Sequence, residues 1–77
     1  MREQPKRLAP KLKAIRQCLG VSQTGMKRLL NFKGHYGRIS DYEVGKRQPP
    51  VLILLAYSKV AGISINELVD DTAELKL

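Results

Sequence analysis

Apolar residues recur along this chain at intervals of three and four, which is the spacing of one face of a helix. The first such stripe consists of Leu8, Leu12, Ile15 and Leu19. It ends at Gly20, a residue that commonly terminates helices. The pattern predicts a first helix over residues 9–19, preceded by a mobile, basic arm at residues 1–7 that shows no helical period.

A shorter apolar stripe follows the first helix. Ser22 is placed as the N-cap of a second helix, and Met26 and Leu29 lie on one face of it. This helix is expected to end near Asn31. The next few residues contain Asn, two Gly and no period, so we interpret residues 31–37 as a turn.

A third helix is predicted from about Tyr36 to Val44. Ile39 and Tyr42 are spaced i, i+3 on its apolar face, and Gly45 is placed to terminate it. The remaining positions of this segment are polar. One side of the predicted helix therefore faces the core and the other faces solvent.

Two more helices are predicted in the second half of the chain. Pro49-Pro50 opens a fourth helix over residues 51–61, which Gly62 closes. Ser64 begins a fifth helix, and Glu67 three residues later completes a capping-box pattern. With no alternating strand pattern in competition, the fold class is predicted to be all-α.

The fourth helix carries more apolar residues than one core face needs. Its predicted core face consists of Val51, Leu54, Leu55, Ser58 and Ala61. That choice leaves over Leu52, Ile53 and Ala56. Exposed aliphatic surface of this kind is typical of a partner site, and the alternative is that the tail folds back over it through Leu75 and Leu77.

The length of the chain limits the number of domains, and its charge distribution indicates the class of partner. The chain has 77 residues, which allows one domain, predicted over residues 8–70 and followed by a short acidic tail at residues 71–77. Of its charges, twelve basic and three acidic side chains fall within residues 1–47, whereas residues 48–77 hold two basic and four acidic ones. The basic half is typical of a nucleic-acid-binding surface, and a solvated basic surface with no partner is the alternative.

Several chemistries are excluded by what the sequence lacks. One Cys, one His and seven scattered carboxylates do not provide an ordinary metal site, and no Gly-rich phosphate loop follows a strand. Cys18 and His35 could in principle meet as a nucleophile and a base, but the position of Cys18 in helix 1 is typical of the edge of a core. We predict no enzyme activity, no cofactor, no membrane segment and a cytoplasmic, nucleoid-associated location.

Three segments together resemble a known family. Val21-Ser22-Gln23, the run from Arg38 to Pro49 (RISDYEVGKRQP) and Gly62-Ile63-Ser64 follow, in order and nearly in spacing, the pattern of helix-turn-helix domains of the Cro and phage-repressor type, the XRE family. The resemblance covers roughly residues 8–70. It implies a five-helix, lambda-repressor-like fold that binds double-stranded DNA, with helix 3 in the major groove and helix 2 across the backbone.

The resemblance also implies a set of DNA-binding positions. They are Gln23, Lys33, His35, Tyr36, Gly37, Arg38, Asp41, Lys46 and Arg47. Arg38 is the expected guanine reader and a phosphate contact is its alternative, while Asp41 either accepts from cytosine, steers a neighbouring arginine or is solvated. Gln23, Lys46 and Arg47 are expected on phosphates.

Two further expectations come from the same resemblance. Arg16 and Glu43 are expected to form a structural ion pair that joins helix 1 to the end of helix 3. A homodimer interface is expected on helices 4 and 5, at Pro50, Leu52, Ile53, Ile65 and Val69.

The function predicted from the sequence is a sequence-specific transcriptional regulator, a repressor that binds an inverted-repeat operator as a dimer. One alternative is an antitoxin, which binds its own promoter and also a toxin protein through the surface of helices 4 and 5. A second alternative, a peptide active at anionic membranes, rests on net charge alone, and the frequent helix stops argue against it.

Overall fold

The computed structural model describes residues 6–35 and 37–75, and within these residues it contains five α-helices and no strand. Their bounds are α1 Leu8–Leu19, α2 Gln23–Leu29, α3 Gly37–Glu43, α4 Val51–Ala61 and α5 Ile65–Val69. The predicted all-α class and the number and order of the helices are confirmed.

Local signals in the sequence account for most helix ends. The Ser22 hydroxyl accepts a hydrogen bond from the Gly25 N–H at 3.0 Å and so caps α2, and Ser64 caps α5 through the Glu67 N–H. The second helix stops at Leu29, slightly earlier than predicted. Asn31 adopts a left-handed backbone with φ 53°, which reverses the chain there.

The core lies between α1 and the other helices, and α1 packs against α3, α4 and α5. Its fully or nearly fully buried apolar residues are Leu8, Leu12, Ile15, Met26, Leu30, Ile39, Tyr42, Leu54, Tyr57 and Leu68. Aliphatic side chains dominate this set. Burial of an aliphatic side chain contributes about 1.5–3 kcal/mol, so helix packing is the main source of stability in this chain.

The predicted core face of α4 is wrong at two positions. Tyr57 is fully buried together with Leu54 and Ser58, whereas Val51 and Leu55 are 65% and 38% exposed. Because Tyr57 is the largest side chain of the helix, turning it inward removes more apolar surface from water than burying Val51 would. The helix is therefore rotated relative to the prediction.

This rotation changes which apolar residues are exposed and could contact a protein partner. Ile53, Ile65 and Val69, all predicted at a dimer interface, are half-buried and pack against the core. Pro50 and Leu52 are exposed, Leu52 to 77%. The exposed aliphatic patch of α4 consists of Val51, Leu52 and Leu55.

The end of α1 also differs from the prediction. Leu19 was placed on the apolar stripe and Cys18 at the edge of the core, yet both are exposed. The apolar stripe of α1 is therefore buried at Leu8, Leu12 and Ile15 but not in the last turn before Gly20.

The chain segments on either side of the helices meet each other at α1. The Asp71 carboxylate accepts hydrogen bonds from the N–H groups of Lys6 and Arg7, each at 2.9 Å, and Arg7 Nη1 donates to the carbonyl oxygen of Asp71. These contacts join parts of the predicted arm and tail, whose boundaries stay predictions. Residues 1–5 of the arm lie outside the described residues.

Leu75 does not lie where it would if the tail folded back over the aliphatic residues of α4. It packs against the core beside Pro10, Lys11 and Ala14 of α1. The α4 patch remains exposed, so Leu75 does not cover it. Leu77, the other residue of that alternative, lies outside the described residues.

Candidate nucleic-acid interface

The third helix has one buried face and one face open to solvent. Ile39, Tyr42 and Glu43 are buried, while Arg38 is exposed and Asp41 is partly exposed. The buried face packs against α1 and α2. Side chains on the outer face of α3 are thus held on a rigid support and remain accessible to a partner.

An ion pair fixes the end of α3 to α1. Arg16 Nε lies 2.7 Å from Glu43 Oε2, and Arg16 Nη2 lies 3.1 Å from Glu43 Oε1. The two side chains are only 17% and 2% exposed. The hydrogen bond to Glu43 raises the pKa of the Arg16 guanidinium, and the bidentate geometry restricts rotation of one helix against the other. The structure thus contains the pair expected from the sequence.

The same carboxylate also contacts α2. Gln23 Nε2 donates to Glu43 Oε1 at 3.4 Å, and Arg16 Nη1 donates to the Val21 carbonyl oxygen at 3.1 Å. Glu43 therefore ties together α1, α2 and α3. Gln23 was expected to face a phosphate, and its internal bond to Glu43 was not anticipated from the sequence.

Tyr57 is buried close to this ion pair. Burial raises the pKa of its hydroxyl, and the negative charge of Glu43 raises it further. Within the described part of the chain its hydroxyl has no hydrogen-bond partner. An unsatisfied buried hydroxyl costs free energy, so the aromatic ring and not the hydroxyl accounts for this residue's place in the core.

The start of α3 is organised by His35. Its Nδ1 accepts the Gly37 N–H at 3.0 Å, and its carbonyl oxygen accepts the Arg38 N–H, also at 3.0 Å. A Cβ on Gly37 would lie only 3.0 Å from that Nδ1, so a larger residue would disturb the contact. Tyr36, another predicted DNA-binding residue, lies outside the described residues.

The segment after α3 presents two cations. Lys46 and Arg47 are exposed, and Arg47 Nε lies 3.3 Å from Asp41 Oδ2. The Asp41 carbonyl oxygen accepts the Lys46 N–H at 2.9 Å. Of the alternatives weighed for Asp41, the structure contains the contact with a neighbouring arginine.

The predicted site residues thus fall into separate groups. Gln23 joins the Arg16–Glu43 pair, Asp41 joins Arg47, and Lys33, Arg38 and Lys46 are exposed without an ion pair among the described residues. Two further cations, Lys27 and Arg28, lie beside Lys33 and are not among the site residues predicted from the sequence. The sequence feature that could have indicated them is their position in the last turn of α2, just before a tight turn that brings Lys33 close.

The chain matches no model of a known protein family, no characterised protein and no solved structure. No helix among residues 6–35 and 37–75 is long and apolar enough to cross a membrane. The same residues contain no group of three or more His, Cys, Asp or Glu side chains that could hold a metal ion.

Proposed function

We propose that this protein is a sequence-specific DNA-binding regulator with a lambda-repressor-like helix-turn-helix fold, in which the outer face of α3 enters the major groove. The observation that carries the proposal is the combination at α3 of a buried, ion-paired inner face and exposed cations at both ends, Arg38 and Lys46–Arg47. Major-groove readers need this combination, because base contacts require a helix held in a fixed orientation.

Each exposed residue has a distinct role in this proposal. Arg38, in the first turn of α3, reads a guanine through its planar guanidinium group. Lys46 and Arg47 bind phosphates, and the Asp41 carboxylate holds the Arg47 side chain in place for that contact. The Gln23 amide, oriented by Glu43, binds a phosphate beside α2.

The distribution of charge supports the same proposal. The net charge of the whole chain is +7, and residues 1–47, which include α1, α2, α3 and the loop after α3, hold twelve basic and three acidic side chains. A protein that acts on DNA in this way works at the nucleoid, in the cytoplasm. Its association with DNA is expected to be dominated by phosphate contacts and to depend strongly on salt.

The first experiment measures binding of labelled duplex DNA at several salt concentrations. Selection from random duplexes should enrich a short inverted repeat, and contact with about 4–8 phosphates per dimer gives a log–log salt slope near −4 to −7. A slope near zero, or selection that enriches no sequence, would contradict the proposal.

A pair of variants separates base reading from phosphate binding. Arg38→Ala should reduce discrimination at one base pair by about 1–3 kcal/mol, whereas Lys46→Ala should weaken all sequences equally. If Arg38→Ala instead weakens every sequence to the same extent and the base preference is kept, Arg38 is a phosphate ligand.

The exposed patch of α4 favours a protein partner as well. This patch consists of three exposed aliphatic residues close together at the start of α4, namely Val51, Leu52 and Leu55. A second copy of the chain is the partner that an inverted-repeat operator requires, and a toxin protein is the partner in an antitoxin role. Leu52→Lys should weaken self-association and operator binding together, and a wild-type protein that sediments as a monomer both free and on DNA would contradict the dimer.

A further inference from the structure

A second cluster of cations lies at the end of α2, separate from those at the ends of α3. Lys27, Arg28 and Lys33 line a surface depression of about 410 Å³, together with Asn31 and Phe32. None of these five lining residues is acidic. The ion pairs among the described residues involve other side chains, so no carboxylate offsets the three positive charges.

Backbone hydrogen bonds give this basic depression a fixed shape. The Phe32 N–H donates to the Lys27 carbonyl oxygen at 3.0 Å, and the Asn31 N–H donates to that of Arg28 at the same distance. The left-handed Asn31, with φ 53°, turns the chain back so that Lys33 comes beside the last turn of α2.

The depression is also attached to α3. The Phe32 ring packs against Tyr42 of α3 with ring centroids 6.4 Å apart and a tilt of 55°. Tyr42 is itself buried in the core. The depression therefore keeps a constant position relative to the helix that carries Arg38 and Asp41.

A simpler account covers part of the cluster. Cations in the last turn of a helix interact favourably with its dipole. This effect accounts for Lys27 and Arg28, which lie in the last turn of α2. It does not account for Lys33, which lies beyond the helix and completes the positive lining of the depression.

We propose that the basic depression binds a backbone phosphate of the same DNA duplex whose bases α3 reads. This inference rests on the proposed function and adds to it a second anchoring point, formed by Lys27 and Arg28 as well as Lys33. The Arg28 guanidinium group suits two phosphate oxygens at once, and the two ammonium groups add point charges. Phe32 offers an apolar floor for the adjoining deoxyribose.

The test compares two double variants that each remove two positive charges. Arg28→Gln/Lys33→Gln alters the depression, and Lys13→Gln/Lys59→Gln, on exposed positions of α1 and α4, is the matched control. We expect the first variant to bind every duplex more weakly with its base preference unchanged, and its log–log salt slope to fall by about 1 per protomer relative to the control.

A second measurement locates the phosphate. Duplexes with a single uncharged methylphosphonate are scanned along the selected site, and one linkage should weaken binding of the wild type but not of Arg28→Gln/Lys33→Gln. If no such linkage exists, or if the two double variants have the same slope, the depression binds no phosphate although the protein binds DNA. If the wild type itself fails to bind duplex DNA, the proposed function fails together with this inference.

Discussion

Two cationic side chains of α1, Arg16 and Lys11, turn inward and bind different kinds of partner. Arg16 meets the carboxylate of Glu43 in a bidentate pair, with Nε–Oε2 at 2.7 Å. Lys11, which is only 5% exposed, donates from Nζ to the carbonyl oxygens of Glu67 at 2.6 Å and Asp70 at 2.8 Å. The first contact neutralises a charge, and the second places a charge at the C-terminal end of a helix.

The two contacts hold different parts of the molecule. Arg16 fixes α3, which carries the candidate interface, whereas Lys11 fixes the end of α5 and the segment that follows it. A charged group that is left in a mostly buried position without its partner is costly, while carbonyl groups at a helix end can be partly satisfied by water. The comparison therefore predicts that the α3 end is the more sensitive to substitution.

The largest effect is expected from Glu43→Ala. It leaves the Arg16 guanidinium group without its carboxylate and the Gln23 amide without its acceptor, so unfolding free energy should fall by about 3–5 kcal/mol. Urea unfolding at neutral pH measures this loss, and Glu43→Gln provides a milder variant if the alanine variant does not fold.

Asp41→Ala is the control for that measurement. Its carboxylate pairs with Arg47 at the surface, where the Arg47 side chain is 53% exposed, so the cost should stay below about 1 kcal/mol. Equal losses in Glu43→Ala and Asp41→Ala would show that the buried pair contributes no more than an exposed one.

A smaller loss is expected from Lys11→Met, which keeps much of the apolar stem but removes the ammonium group. The carbonyl oxygens of Glu67 and Asp70 lose a charged donor, at a cost of about 1–3 kcal/mol. Lys13→Met, exposed on the same helix, should change stability little. If Lys11→Met lowers the unfolding free energy as much as Glu43→Ala does, the contact at α3 is no more important for stability than the contact at the end of α5.

Much of this fold could be predicted from the sequence, because its helix signals are local. Ser22, Ser64 and Gly62 mark helix ends through interactions within a few residues, and the structure has those caps. The rotation of α4 could not be read in this way. Val51 and Leu55 fit a helical stripe as well as Tyr57 does, and only packing against the other helices decides between them.

The two inward-facing cations of α1, one of which supports the candidate site, could be predicted to different extents for a similar reason. Arg16 and Glu43 were expected as a pair because they match a family pattern. Lys11 gave no such signal, since a lysine near the start of an amphipathic helix is usually exposed. Its partners are backbone carbonyl oxygens more than fifty residues away, which no pattern of side chains records.

A change of opposite sign is expected from Tyr57→Phe. It removes a buried hydroxyl that has no hydrogen-bond partner in the described part of the chain, so stability should stay constant or rise by up to about 1 kcal/mol. Burial raises the pKa of Tyr57 above its ordinary value of 10.0. Its protonation therefore leaves stability independent of pH below about pH 10, and stability falls above that pH because the hydroxyl ionises more readily in the unfolded chain.

The pH dependence gives the Tyr57 prediction its check. The wild type should lose stability above about pH 10 faster than Tyr57→Phe, and Tyr57→Leu, which leaves a space in the core, should destabilise at every pH. A clear loss of stability in Tyr57→Phe at neutral pH would show that the hydroxyl makes a favourable contact.

The smallest effect is expected at the Lys11 end, from Asp71→Asn. Hydrogen bonds from the N–H groups of Arg7 and Lys6 lower the pKa of the Asp71 carboxyl below its ordinary value of 3.8. A lowered pKa means that the stabilisation is complete above about pH 4 and is lost as the pH falls through the value in the folded protein.

The wild type should therefore be more stable than Asp71→Asn by a constant margin from neutral pH to about pH 5, and the margin should close in stronger acid. Glu74→Gln, an exposed change on the same segment, should follow the wild type throughout. Urea unfolding at a series of pH values measures the margin, and one that persists unchanged at pH 2 would show that Asp71 acts through something other than its charge.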